Sequence, residues 1–190
     1  MKRFLLLLAV VLWTHTASAQ RTIPVNIEQL VRDAGTIVDG TVVSTRTGKD
    51  PETGFIVTWV TLKVNESFFG ASEGTVTFKQ YGGEADGLAN YPKHLPRYSA
   101  GERSILFLTA PSSIGMQSPV GMQQGKFMIV KEGNAKTVVR NMTVNPSLFV
   151  GLRSSAALSK AIPAALDAEG SMDVEAFTSL VRSYVQQIKR

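Results

Sequence analysis

"FIVTWVTLKVNESF", residues 55–68, is the stretch whose reading decides the fold. It is long, rich in β-branched and aromatic residues, and free of glycine and proline, the composition of a strand. Its apolar positions change phase midway. Phe55, Val57 and Trp59 share one parity; Val60, Leu62 and Val64 share the other. Side chains alternate faces along a strand, so a change of parity moves the apolar set from one face to the other. A flat sheet wetted on one side does not accommodate that. A strand that curls or bulges, as in a small barrel, does.

The neighbouring segments extend the pattern. "TIVDGTVVSTR" (36–46) precedes it, with Gly40 expected at a bend or bulge, and "GKDPETG" (48–54) supplies turn chemistry between the two. "GTVTFKQY" (74–81) alternates, with Val76 and Phe78 inward. "SILFL" (104–108) is continuously apolar, which predicts a central strand covered on both faces. "KFMIVK" (126–131) and "KTVVR" (136–140) flank Gly133-Asn134, a hairpin turn signal. Sandwich and barrel both fit these strands. The phase change and Gly40 favour a small five- or six-stranded Greek-key barrel of the oligonucleotide/oligosaccharide-binding (OB) type over residues 20–150.

Helices are expected at both ends. Asn26 and Gln29 have capping-box spacing ahead of Ile27, Leu30, Val31 and Ala34, and Gly35 is read as the stop. Residues 151–190 form a helical segment packed on the barrel. Within it, "SSAALSKAI" (154–162) gives a turn or two before Pro163, and 171–190 give an amphipathic helix capped by Ser171. Its stripe of Val174, Phe177, Leu180, Val181, Tyr184, Val185 and Ile188 suits a core. The alternative is a partner-binding or membrane-surface helix.

The first 19 residues read as a secretory signal: Lys2 and Arg3, the apolar run "FLLLLAVVLW" (4–13), and "ASA" before a cleavage point after Ala19. The run is shorter than the ~20 apolar residues of a membrane span. The expectation is an exported protein, periplasmic or extracellular, with no membrane insertion after cleavage. Loss of Lys2 and Arg3 lowers the formal charge from +5 to +3. No basic cluster marks a nucleic-acid surface. The absence of cysteine excludes disulfides, thiolate metal sites and a cysteine nucleophile, and points to a bacterial source.

At "IEQLVRDAGTIVDGTVVS", "GERSILFL" and "GMQQGKFMIV" the chain resembles a group of exported bacterial proteins of uncharacterised function, over about residues 27–131. More distantly it resembles the netrin-like barrels of tissue inhibitors of metalloproteinases. Those present an N-terminal cysteine to the protease zinc. This chain has none, so the resemblance implies a barrel shape and not the inhibitory mechanism.

The inventory of reactive side chains is short. Cleavage after Ala19 removes His15 and leaves His94 alone, so a histidine-rich zinc site is excluded within one chain. A serine triad would have to use His94, and no nucleophile-elbow motif accompanies it. Glu84 and Asp86, with Glu102, form a loose acidic set, as do Asp50 and Glu52; neither has EF-hand spacing. Met116, Met122 and Met128 recur every six residues, but gap-filling accounts for them better than Cu(I). No cofactor and no metal site is expected.

Residues 79–103 hold three of the four tyrosines: Tyr81, Tyr91 and Tyr98, together with Lys93, His94, Arg97 and Arg103. Tyrosine and arginine give large contact area at small entropy cost. Two uses want those residues: a plug lying on the barrel wall, and a binding surface shared with the 111–125 loop. The leading expectation is a non-catalytic exported binding module for a protein, polysaccharide or other envelope component. Its anchors would be Tyr91, Tyr98 and Arg97, with His94 and Tyr81 beside them. The alternative is a secreted hydrolase using His94 or the Glu84/Asp86 pair.

Overall fold

A computed structural model describes residues 23–133, 136–141, 147–153 and 171–189. The predicted leader, Asn134 of the predicted hairpin turn, and the predicted 154–162 turns with Pro163 lie outside the described residues.

The chain enters through α1 (Ile27–Asp33). The capping box forms: Asn26 Oδ1 accepts from Gln29 N at 3.0 Å, and Gln29 Oε1 accepts from Asn26 N at 2.9 Å. Gly35 is not the helix stop that the sequence suggests. Strand β1 (Ala34–Lys49) begins at once, and a Cβ on Gly35 would lie 2.6 Å from Ala110 Cα, so glycine is needed there for close packing.

Strands β2 (Ile56–Phe69) and β3 (Thr75–Tyr81) continue as a meander. A hairpin of β4 (Gly83–Ala85) and β5 (Leu88–Asn90) follows, then β6 (Arg103–Thr109), β7 (Lys126–Glu132), β8 (Lys136–Asn141), β9 (Ser171–Asp173) and α2 (Val174–Ile188). A short 3₁₀ turn, Met122–Gly125, leads into β7. The protein is mainly β. Among the described residues its principal sheet has seven antiparallel strands in the order β3-β2-β1-β6-β7-β8-β9.

Strand pairing does not close this sheet into the expected five- or six-stranded barrel. Instead, residues 116–119 lie between β6 and β3. Thr109 N donates to Ser118 O at 2.9 Å on one side, and Gln117 N donates to Lys79 O at 2.8 Å on the other. Two strands, β1 and β2, separate β6 from β3 within the sheet. One short segment touches both only if that half of the sheet is curled.

The register shifts between β1 and β2 that allow the curl fall at Ile37/Val38, Asp39/Gly40 and Val42/Ser44; the first two leave Phe68 and Asn65 extra in β2, and the third leaves Val43 extra in β1. Gly40 thus sits at a shift, as expected. The β2–β3 register runs unbroken from Val57↔Tyr81 to Lys63↔Thr75. The parity change in β2 therefore reflects burial of opposite faces at its two ends: Val57 on one, Val60 and Leu62 on the other.

Two cores result, and β6 separates them. Ile105 and Phe107 face α1 and α2; Leu106 and Leu108 face Val38, Val42, Val60, Leu62, Phe78 and Tyr98. The continuously apolar "SILFL" is thus the doubly covered strand it predicts. Helix α2 buries Phe177, Leu180, Val181 and Tyr184 in the first core. Its cap is Asp173, whose Oδ1 accepts from Glu175 N and Ala176 N at 2.9 and 3.0 Å. Ser171, the expected cap, is buried in β9 and accepts from Arg140 Nε. Among the described residues no helix is long and apolar enough to cross a membrane.

Candidate binding cleft

The segment 79–103 is less irregular than its glycines and prolines suggest. Asp86 and Gly87, at φ 53° and 73°, form the two-residue tip of the β4–β5 hairpin. Both φ values are positive, as a type I′ turn requires, and Asp-Gly is a favoured pair there. Asp86 therefore has a backbone reason to be where it is, and Glu84 is exposed beside it. Among the described residues no three of His, Asp and Glu gather as a metal site.

Beyond the hairpin, residues 96–102 are fastened down. Gly101 N donates to Val42 O, and Val42 N donates to Glu102 O, both at 2.8 Å. Gln80 Nε2 donates to Pro96 O at 3.0 Å. Lys126, buried on β7, donates through Nζ to Arg97 O at 2.6 Å and pairs with Glu102 Oε1 at 2.7 Å. Burial lowers the Lys126 pKa, while the Glu102 carboxylate opposes that shift.

Tyr98 is a core residue rather than a surface anchor. It is 9 % exposed and meets Phe78 edge-on at 5.4 Å, with Lys126 Nζ 4.4 Å from its ring centre. This end of the loop is the self-packed plug. Arg103, grouped in the sequence with the loop's cations, is also committed: its guanidinium donates to the buried Asp39 carboxylate at 2.6 and 3.0 Å.

The remaining predicted site residues stay accessible. Tyr91 is exposed, with the Arg97 guanidinium stacked over its ring at 4.0 Å. Tyr81 is 38 % exposed, packs edge-on against Phe55, and accepts from Asn90 Nδ2 through its hydroxyl. His94 is half-buried.

A cleft of about 1070 Å³ lies between the two loops that the sequence pairs as a surface. Tyr81 and residues 92–95 form one wall; Thr109, Ala110, Ser112, residues 116–118 and Met122 form the other. The sequence treats Met116 and Met122 as distant from any histidine. The fold places both in the same cleft as His94, because 116–119 is stitched back to β3. Met122 also holds a positive φ of 61°, rare for a residue with a side chain. Among the described residues His94 makes no hydrogen bond to a serine, the link a Ser–His relay uses; Ser112 Oγ accepts instead from Met116 N at 3.0 Å.

Pro92 and Leu95 also wall two smaller hollows. One, of about 540 Å³, is bounded by Tyr91, Arg97, Glu102 and Lys126. The other, of about 180 Å³, is lined by Thr45, Thr47, Thr58, Gln80, Tyr91 and Tyr98, among others. Two buried atoms of its lining residues, Gln80 Oε1 and the Tyr98 hydroxyl, have no protein partner and present almost no accessible surface. A buried polar atom left in that state costs about 1–3 kcal/mol. Burial, reinforced by the Glu102 charge, pushes the Tyr98 pKa well above its usual value of 10.0, so the hydroxyl keeps its proton. Gln80 carries no motif that would single it out; its role follows from alternation on β3, which turns it inward with Phe78.

No protein-family model, no curated protein and no solved structure matches this chain.

Proposed function

We propose that the chain is a non-catalytic exported binding module, an OB-like curled barrel whose ligand is a protein or envelope component held between the 81–103 and 111–125 loops. The observation that carries this reading is the meeting of those loops across one cleft. Its walls combine apolar side chains, among them Leu95, Ala110, Met116 and Met122, with a few polar groups such as His94 and Gln117. Binding sites for small organic groups have that composition and reach volumes of about 1000 Å³. Methionine adapts to irregular apolar shapes, which suits such a wall. Tyr81 and His94 line the cleft, and Tyr91 and Arg97, which border the two adjoining hollows, would supply further contacts. The signal-like N-terminus supports export to the periplasm or beyond, and the mild charge argues against nucleic acid as partner.

A second reading, a secreted hydrolase, is favoured by one observation: His94 shares the cleft with Ser112 and Ser118. Binding of the apolar fluorophore 8-anilinonaphthalene-1-sulfonate, followed in the wild type, Leu95→Glu and His94→Ala, tests both. The binding reading expects saturable fluorescence that Leu95→Glu abolishes and His94→Ala largely keeps. Equal binding by the wild type and Leu95→Glu would sink it. Ester turnover that disappears with His94→Ala would establish the second reading instead.

A further inference from the structure

We propose that the ligand of the large cleft is a fatty acid, its chain lying in the cleft and its carboxylate held at the rim by Lys93 and Arg97. This names the ligand class of the binding reading above and rests on that reading.

The walls set the chain. Leu95, Ala110, Met116 and Met122 make the cleft apolar, and no carboxylate lines it. Charge is confined to one side. The wall running from Thr109 to Met122 holds no charged side chain, whereas the opposite wall carries Lys93. A ligand that fits such a cleft is apolar along its length and charged at one end.

The rim sets the head. Pro92, Lys93 and Leu95 wall both the cleft and the hollow of about 540 Å³, which adds Arg97 to the same ridge. Lys93 and Arg97 are exposed, so a ligand can reach both. Among the described residues the side chains of Lys93, His94 and Arg97 make no hydrogen bond and no ion pair. Arg97 is stacked over Tyr91 at 4.0 Å. Stacking covers one face of the guanidinium and leaves its in-plane N–H groups to an acceptor. The one carboxylate of the hollow, Glu102, is already taken by Lys126 at 2.7 Å and Ser104 at 2.9 Å. Free donors therefore outnumber free acceptors along the ridge, which selects an anion. The planar fork of a guanidinium matches the two oxygens of a carboxylate, and the lysine adds a second charged donor.

The test is calorimetric titration with octanoate, decanoate, 1-decanol, decyltrimethylammonium and decyl phosphate, each below its micellar concentration. Decanoate should bind at least about threefold tighter than 1-decanol, with the cationic amphiphile weakest. It should bind about tenfold tighter than octanoate, since each buried methylene is worth roughly fourfold. Lys93→Gln/Arg97→Gln alters exposed side chains only. It should bring decanoate to the level of 1-decanol and leave 1-decanol unchanged. Leu95→Glu should remove 1-decanol binding, an effect that charge repulsion does not explain for an uncharged ligand.

The proposal is overturned if 1-decanol binds as tightly as decanoate, or if the double variant keeps the wild-type preference. Decyl phosphate binding tighter than decanoate would overturn the carboxylate assignment, and 1-decanol binding that survives Leu95→Glu would place the chain elsewhere. Fluorophore binding abolished by Leu95→Glu, with no preference among head groups, would keep the cleft reading and remove this one. Binding of neither the fluorophore nor any amphiphile would remove both.

Discussion

The Lys126 ammonium lies 2.7 Å from Glu102 Oε1 and 2.6 Å from the carbonyl oxygen of Arg97, so one buried lysine on β7 holds both ends of the plug. The partners are unequally buried: the Lys126 side chain is 3 % exposed and that of Glu102 16 %. Glu102 also accepts from Ser104 Oγ at 2.9 Å and would regain water if its partner left. Glu102→Gln strands a buried cation, which costs about 3–5 kcal/mol. Lys126→Met removes the charge from its buried place. Glu102→Gln should therefore destabilise more than Lys126→Met, by ~1–2 kcal/mol in urea unfolding at neutral pH. The opposite order would mean that Glu102, not Lys126, bears the desolvation.

Tyr98 gives an alkaline signature. Its folded-state pKa is raised, by burial first and by Glu102 second. Above pH 10 the unfolded chain releases the phenolic proton while the folded chain retains it. Stability is fully present below pH 10 and falls as pH rises towards the folded value. Lys126 acts in the opposite sense. Its pKa is lowered, so between that lowered value and 10.5 the unfolded chain binds more protons and stability rises with pH. Comparison with Tyr98→Phe isolates the tyrosine. That variant should be neutral or more stable by ~1 kcal/mol at pH 8, having lost an unpaired buried hydroxyl. Its advantage should widen at pH 11, as read from urea midpoints at the two pH values.

Asp50 gives the acid counterpart. Its carboxylate accepts from Thr53 Oγ1 at 2.7 Å and from Lys79 Nζ at 2.9 Å, and these contacts hold its pKa below 3.8, the Thr53 bond being the larger cause. The stabilisation is present above pH 3.8 and disappears as pH falls through the folded value. Asp50→Asn should lower the melting temperature at pH 7, and the gap to wild type should close in the acid limb of a thermal-melt series. Lys79 O also accepts from Gln117 N, so the same variant should weaken fluorophore binding in the cleft.

What was legible in the sequence was local. A capping box needs four consecutive residues, and Asn26–Gln29 formed as read. "SILFL" declared its own double burial because the four positions after Ser104 are all apolar. What stayed hidden depends on distant contacts. Tyr98 looks like an interface tyrosine until β3 brings Phe78 beneath it. Arg103 looks like a free cation until β1 supplies Asp39. Nothing in residues 116–119 announces that they reach β3, and so nothing joined Met116 to His94. The Asp86-Gly87 turn is the exception: its signal was local, but the acidic pair around it drew a chemical reading instead of a conformational one.

The C-terminal helix settles whether an amphipathic stripe is core or docking face. Phe177 is 1 % exposed and lies 4.7 Å, centre to centre, from Phe127, which meets Phe107 at 5.6 Å. The three rings run from α2 through β7 to β6, so the helix continues the sheet's own core. Lys189 Nζ adds donors to Arg32 O and Ala34 O at 2.8 and 2.7 Å, tying the end of α2 to the end of α1. Phe177→Ala should cost about 3–5 kcal/mol. A domain's whole stability is only about 5–15 kcal/mol, so removing residues 174–190 should abolish the cooperative thermal transition and the near-ultraviolet circular dichroism. Arg182→Ala is the surface control. Its guanidinium meets Glu66 at 2.6 Å with both side chains partly exposed, and such pairs contribute at most about 1 kcal/mol. If the truncated chain instead kept its cooperative transition, the apolar stripe would not be core, and α2 would have to be read as a face for a partner.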